Sequence, residues 1–198
     1  VSRAGRGPIA ALREAATTLR AVDARFALVG GLAVSVRGEV RFTQDVDLAV
    51  AVQSDEEAEA LVRRLGARGY TAVTTVEQRA TGRLATVRLT TPKALILDLL
   101  FASCGIEPEI VAAAETLPVP GAGRLPVATR EHLVAMKVLS AVDERPHDRV
   151  DLCALLAHPV DLEVVRAALA LIQTRGFGRR QDLNVKLDAA LGWAGRTP

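Results

Sequence analysis

The stretch "LVGGLAVSVRGEVRFTQDVDLAV", Leu28 to Val50, holds two features that could do chemistry: adjacent glycines behind one apolar run, and two aspartates one residue apart at the head of another. Between a strand and a helix, Gly30 and Gly31 let backbone N–H groups approach a ligand. The helix N-terminus behind them carries a partial positive charge, and the two together cradle phosphate. A Gly-Gly pair is also an ordinary turn. Asp45 and Asp47 share one face of an extended chain, because strand residues alternate sides. Carboxylates that close repel unless a cation stands between them. Mg2+ suits the gap, since it takes one or two carboxylates together with substrate phosphates. The plain alternative is a solvated strand end carrying two acids.

The combination is more specific than either part. A phosphate cradle just upstream of an acid pair fits a nucleoside triphosphate held by its tail, with metal at the reacting phosphorus. Asp98 strengthens the case. It is the single charge in "ALILDLLFA", and a lone carboxylate in a buried strand needs a partner or a metal. A neighbouring strand could bring it beside the pair. Lys137 interrupts an apolar helix, either to snorkel to water or to reach an anion. Asp148 and Asp151 lie three apart and share a helical face. Asp151 is the better partner for Lys137, while Asp148 also suits a helix N-terminus. His132, His147 and His158 show no metal-ligand spacing and read as surface or cap residues. "RGFGRRQ", 175–181, joins two helices; as a solvated turn it is ordinary, but Arg175, Arg179 and Arg180 could also grip an RNA backbone.

These residues need elements to position them. Apolar spacing predicts a helix over 9–23, a strand ending at Gly30, a short helix over 31–37 and a strand over 45–52. A helix capped by Ser54 or Asp55 follows to 68. "YTAVTTV" and "RLATVRLT" alternate as strands, 94–102 reads as a central strand, and 115–127 as a loop or hairpin. From 130 the pattern is helical: 130–142, 148–157, 160–174 and 180–192. The chain is therefore α/β to about residue 128 and helical beyond, with no flexible linker at the boundary.

Composition sets the outer limits. The chain has 198 residues with 49% hydrophobic and only 3% aromatic content, so its core must come from Ala, Val and Leu. A formal charge of +2 does not by itself mark a nucleic-acid binder. Cys104 and Cys153 sit in apolar segments, without zinc spacing or a disulfide framework. The basic start lacks an apolar signal core, and no run reaches the ~18 residues of a membrane span. The expected setting is the cytoplasm, with no membrane partner.

Glycine pair, acid pair and later strand aspartate together resemble the DNA polymerase β-type nucleotidyltransferases. Within them, the pattern G-G-x-A followed by R-x-T-x-D-h-D is similar to that of the AbiEii and MenT-type toxins, carried here by Gly30, Gly31, Ala33, Arg41, Thr43, Asp45, Val46 and Asp47. "EHLVAMKVLSAVDERPHDRVDLCAL" resembles the family's K…R-D-x-x-D-L block through Lys137, Asp148 and Asp151, with His147 where the family has arginine. The resemblance covers about 25–157. It implies a polymerase β-like core over 1–128, a mixed central sheet flanked by helices, with a helical subdomain over 129–198 packed on it. It implies Mg2+ or Mn2+ on Asp45, Asp47 and Asp98, an NTP substrate contacted by Gly30, Gly31, Arg41, Thr43, Lys137 and Asp148, and catalytic roles for Asp45, Asp47, Asp98, Lys137 and Asp151. The implied acceptor is a tRNA 3′ end, the effect a block of translation, and the partner a cognate antitoxin. An antibiotic-adenylylating enzyme shares the metal site but calls for an acidic cleft, and the acids here do not cluster beyond the metal candidates. A nucleotide-sensing module without chemistry is a third reading, disfavoured by the intact acids. Thr43, two residues before Asp45, is also a regulatory expectation: a phosphate there would add nearly −2 charge where the triphosphate must bind.

Overall fold

The computed structural model describes residues 7–38, 43, 45–141 and 146–196. Helix α1 (Pro8–Ala21) leads into β1 (Phe26–Val29), α2 (Gly30–Arg37), β2 (Asp47–Val50) and α3 (Asp55–Gly66). Strands β3 (Thr71–Glu77), β4 (Leu84–Thr90) and β5 (Ile96–Leu100) follow, then α4 (Glu107–Ala113) and the hairpin β6 (Glu115–Val119)–β7 (Gly123–Val127). Four helices complete the chain: α5 (Arg130–Ser140), α6 (Pro146–Leu156), α7 (Leu162–Thr174) and α8 (Leu183–Trp193). The strands form one mixed sheet in the order β3-β4-β5-β2-β1-β7-β6. β2 runs parallel to β5 and antiparallel to β1; β1 runs parallel to β7.

Local sequence explains most boundaries. Pro8 begins α1, and Ala11, Leu12, Ala15, Ala16 and Leu19 form its buried stripe at helical spacing. Ser54 caps α3 by accepting from the Glu57 N–H. Three acids in the first turn of α3 and two arginines in its last match the helix dipole. Asp161 and Asp182 cap α7 and α8 in the same way. The core runs from α1 through β1, β2 and β5 into α5–α8, and it is mostly Leu, Val and Ala, as the composition requires. β1 is buried at all four residues, and β2 at all but Asp47.

One element departs from the sequence reading, and one open alternative, loop or hairpin, is decided. Helix α4 goes unread because seven residues are too few to establish a period, and Pro108 in its first turn looks like a breaker. The 115–127 segment is a true hairpin despite Pro118 and Pro126. β6 is an edge strand, where the missing N–H of Pro118 costs little. Both cysteines are free thiols. Among the described residues, no helix is long and apolar enough to cross a membrane.

Candidate active site

β1 ends at Val29, opposite Asp47 of β2. The next residue, Gly30, has φ +63°, and a Cβ there would stand 2.0 Å from the Asp47 carboxylate oxygen. Glycine is thus required twice, by conformation and by space. Gly31, by contrast, is buried inside α2. The strand register then builds a row of charge across the sheet. Asp47 pairs with Asp98 on β5, and Asp98 pairs with Arg88 on β4. Arg88 donates through Nε and Nη2 to the two Asp98 oxygens at 2.8 and 2.6 Å. The lone strand carboxylate has therefore found its partner. Arg88 is the residue that sequence reading missed, although a charge in the middle of the alternating strand "RLATVRLT" was the available signal.

Asp47 is left on the uncompensated side of this row. Burial, then the neighbouring charges of Asp98 and Asp45, push its carboxyl up from 3.8 to about 6; Lys137 and Arg88 act in the opposite sense. Asp45 itself is exposed, and Val46 between the two acids is buried, as alternation requires. Among the described residues, no group of three or more His, Cys, Asp or Glu side chains is arranged to hold a metal alone.

The helical half contributes Lys137. Its Nζ lies 2.7 Å from Asp148 Oδ1 and 2.7 Å from Asp151 Oδ2, so both acids hold it rather than Asp151 alone. Gly30, Asp47, Asp98, Lys137 and Arg179 line one open cleft of about 300 Å3. Of the other expected residues, Thr43 is half-buried, Arg180 is exposed, and Arg175 is bound to Glu109 on α4. Arg41 lies outside the described residues.

A mixed sheet that sets a glycine turn against a strand-end aspartate, beside a lysine from a following helix, defines the class: this is the polymerase β-like nucleotidyltransferase fold. Two solved structures share it. An antigenic nucleotidyltransferase-like protein from Paracoccidioides brasiliensis matches at 18% identity and a TM-score of 0.50, over 92% of this chain and 92% of that one. ANT(2″)-Ia, in complex with adenylyl-2″-tobramycin, matches at 14% identity and a TM-score of 0.52, over 84% of this chain and 97% of that one. At such identities the likeness is one of fold. No curated protein matches in sequence. The family is nevertheless defined: the model of the nucleotidyl transferase AbiEii toxins, of type IV toxin–antitoxin systems, matches residues 14–191, and the chain belongs to that family. It is a nucleotidyltransferase.

Proposed function

We propose that the chain transfers a nucleotidyl group from an NTP to the 3′ end of tRNA in a Mg2+- or Mn2+-dependent reaction, so blocking translation, and that a cognate antitoxin restrains it. The observation that carries this reading is the meeting of Asp47, Gly30 and Lys137 in one cleft, with Asp47 short of positive charge. That shortage fits a divalent ion on Asp45 and Asp47 whose remaining positions go to substrate phosphates and water. Bound there, the ion would neutralise phosphate charge and polarise the α-phosphorus.

The protein's own groups do the rest. Gly30 keeps the start of α2 open to the phosphates. Lys137 donates to Asp148 and is ion-paired with Asp151, and these two contacts hold its ammonium at the cleft. Asp98, oriented by Arg88, accepts the proton of the acceptor hydroxyl. That oxygen bonds to the α-phosphorus, the bond to the β-phosphate bridge breaks, and pyrophosphate leaves. Thr43, two residues ahead of Asp45, belongs to the same mouth. A phosphate on it would repel the triphosphate, so Thr43→Glu should lose NTP binding in an equilibrium titration while Thr43→Val keeps the fold.

The acceptor is tested by incubating the protein with each labelled NTP, Mg2+ and total RNA, then identifying the labelled species. Label at the tRNA 3′ end, lost after periodate treatment of the terminal hydroxyls, is the expected result. Label on a small molecule, with none on RNA, overturns the tRNA acceptor.

A further inference from the structure

The loop between α7 and α8 is pinned at both ends. Arg175 donates to the two Glu109 oxygens at 2.6 and 3.0 Å and to the Gly105 carbonyl at 2.6 Å. Phe177 is buried against Gly105, where an added Cβ would stand 2.4 Å from its ring. At the far end Gln181 donates its N–H to the Gly178 carbonyl, and its side-chain oxygen accepts from Lys186 Nζ at 2.7 Å.

Between these pins Arg179 and Arg180 both take positive φ, 54° and 58°. Residues with a Cβ resist that region, and neither position carries glycine although 176 and 178 do. Strain of this kind persists where the surroundings impose it, and it gathers at binding sites. Arg179 lines the cleft beside Asp47 and Lys137. No acid among the described residues forms a salt bridge with it. Its charge also reaches Lys186: burial first, then Arg179, holds that ammonium below its ordinary range, with Asp148 opposing. An arginine with no salt bridge among the described residues, held in a strained backbone at a cleft already lined by a lysine, is set to receive an anion.

We infer that Arg179 binds a substrate phosphate in the catalytic cleft, and that the Arg175–Glu109 pair, with Phe177 on Gly105, is the device that positions it. The ligand is a phosphate of the NTP tail or of the nucleic-acid acceptor. The assignment rests on the nucleotidyl-transfer reading of the cleft but not on tRNA being the acceptor. It divides the three arginines of "RGFGRR": Arg175 is a positioning residue, and Arg179 is the contact.

The test is calorimetric binding of tripolyphosphate, and separately of a short single-stranded RNA, to the full chain in Mg2+. Glycine suits the backbone at 179, so Arg179→Gly should melt no lower than the parent. It should nevertheless bind at least one ligand about tenfold more weakly, as expected for a lost charge-assisted contact. Loss on tripolyphosphate alone places the phosphate in the NTP; loss on RNA alone places it in the acceptor. Glu109→Gln, which leaves Arg179 in place, should weaken the same ligand by roughly threefold, and Arg175→Lys, which keeps a cation beside Glu109, should stay nearer the parent. Parent affinity for both ligands in Arg179→Gly overturns the contact; parent affinity in Glu109→Gln overturns the positioning role. Tripolyphosphate binding is read without any transfer, so a failure to label RNA in the transfer experiment leaves this result standing.

Discussion

On the sheet, Arg88 faces Asp98 with Asp47 alongside; among the helices, Lys137 faces Asp148 and Asp151. Among the described residues, each cluster sets one cation against two carboxylates, yet the cation is shared differently. The Lys137 ammonium is a compact point with three donors, and it sits 2.7 Å from both of its acids. The Arg88 guanidinium is a planar fork, and among the described residues its bonds go to Asp98 alone. Asp47 is left over, with Asp45 adding further negative charge. The helical cluster grips its lysine from two carboxylates and holds that side chain still. The sheet cluster is incomplete in a way that a divalent ion would complete. Identical charge types thus give a fixed brace in one place and a receptive site in the other, and donor geometry makes the difference.

The largest expected effect comes from removing the uncompensated acid. Asp47→Asn should lower nucleotidyl transfer by roughly a thousandfold or more, measured with labelled NTP at saturating Mg2+. The same substitution should stabilise the metal-free protein near neutral pH. Unfolded, the Asp47 proton leaves near pH 3.8; folded, it leaves at about 6. Between those values the folded state binds more protons, so stability falls as pH rises through the window, by an upper limit of about 3 kcal/mol. Urea unfolding of the parent without metal, at pH about 4 and about 7, should show that fall, and Asp47→Asn should flatten it. A parent curve as flat as the mutant's removes the claim that the sheet cluster is open.

The brace is broken at Lys137. Lys137→Ala leaves Asp148 and Asp151 buried without their lysine, so stability should drop by about 3 kcal/mol in the same unfolding experiment. Adding Asp148→Asn and Asp151→Asn should recover much of that stability without recovering transfer. If the single substitution costs nothing, the cluster is not a closed unit and the comparison fails.

Gly30→Ala acts on the open cluster from the side. The methyl would collide with Asp47, and alanine resists φ +63°. Transfer should fall by roughly a hundredfold, with a stability loss of about 1–2 kcal/mol. Normal transfer in this variant would mean that Asp47 can move away without consequence.

The smallest effect, and the most discriminating, belongs to Arg88. Arg88→Gln frees both oxygens of Asp98 beside Asp47. Its stability cost should be about 1 kcal/mol, because the guanidinium is partly exposed. Mn2+ affinity, read by electron paramagnetic resonance without nucleotide, should rise by roughly threefold or more as a third carboxylate becomes available. Unchanged or weaker Mn2+ binding would show that Arg88 does not compete for the site.

Chemistry confined to one short segment was legible in the chain itself. Gly30 lies between a strand and a helix, and Asp45 and Asp47 flank a buried valine, because turn chemistry and strand alternation are local rules. The match to the AbiEii family over 14–191 extends that reading to the fold. Asp98 was recognisable as a carboxylate in need of a partner. The partner's identity was not, since Arg88 is ten residues away across a hairpin whose register no local rule specifies.

The sequence alone determined which side chains could do chemistry and which segments could carry them, for residue type, period and capping act over a few neighbours. Tertiary structure alone decided three matters. It set Gly30 against Asp47 through the β1–β2 register, gave Asp98 to Arg88 rather than to Asp47, and folded the α7–α8 loop back so that Arg175 grips Glu109 and Arg179 enters the cleft. Each depends on where distant strands and helices come to rest. That follows from burying the whole core at once, and no window of sequence contains it.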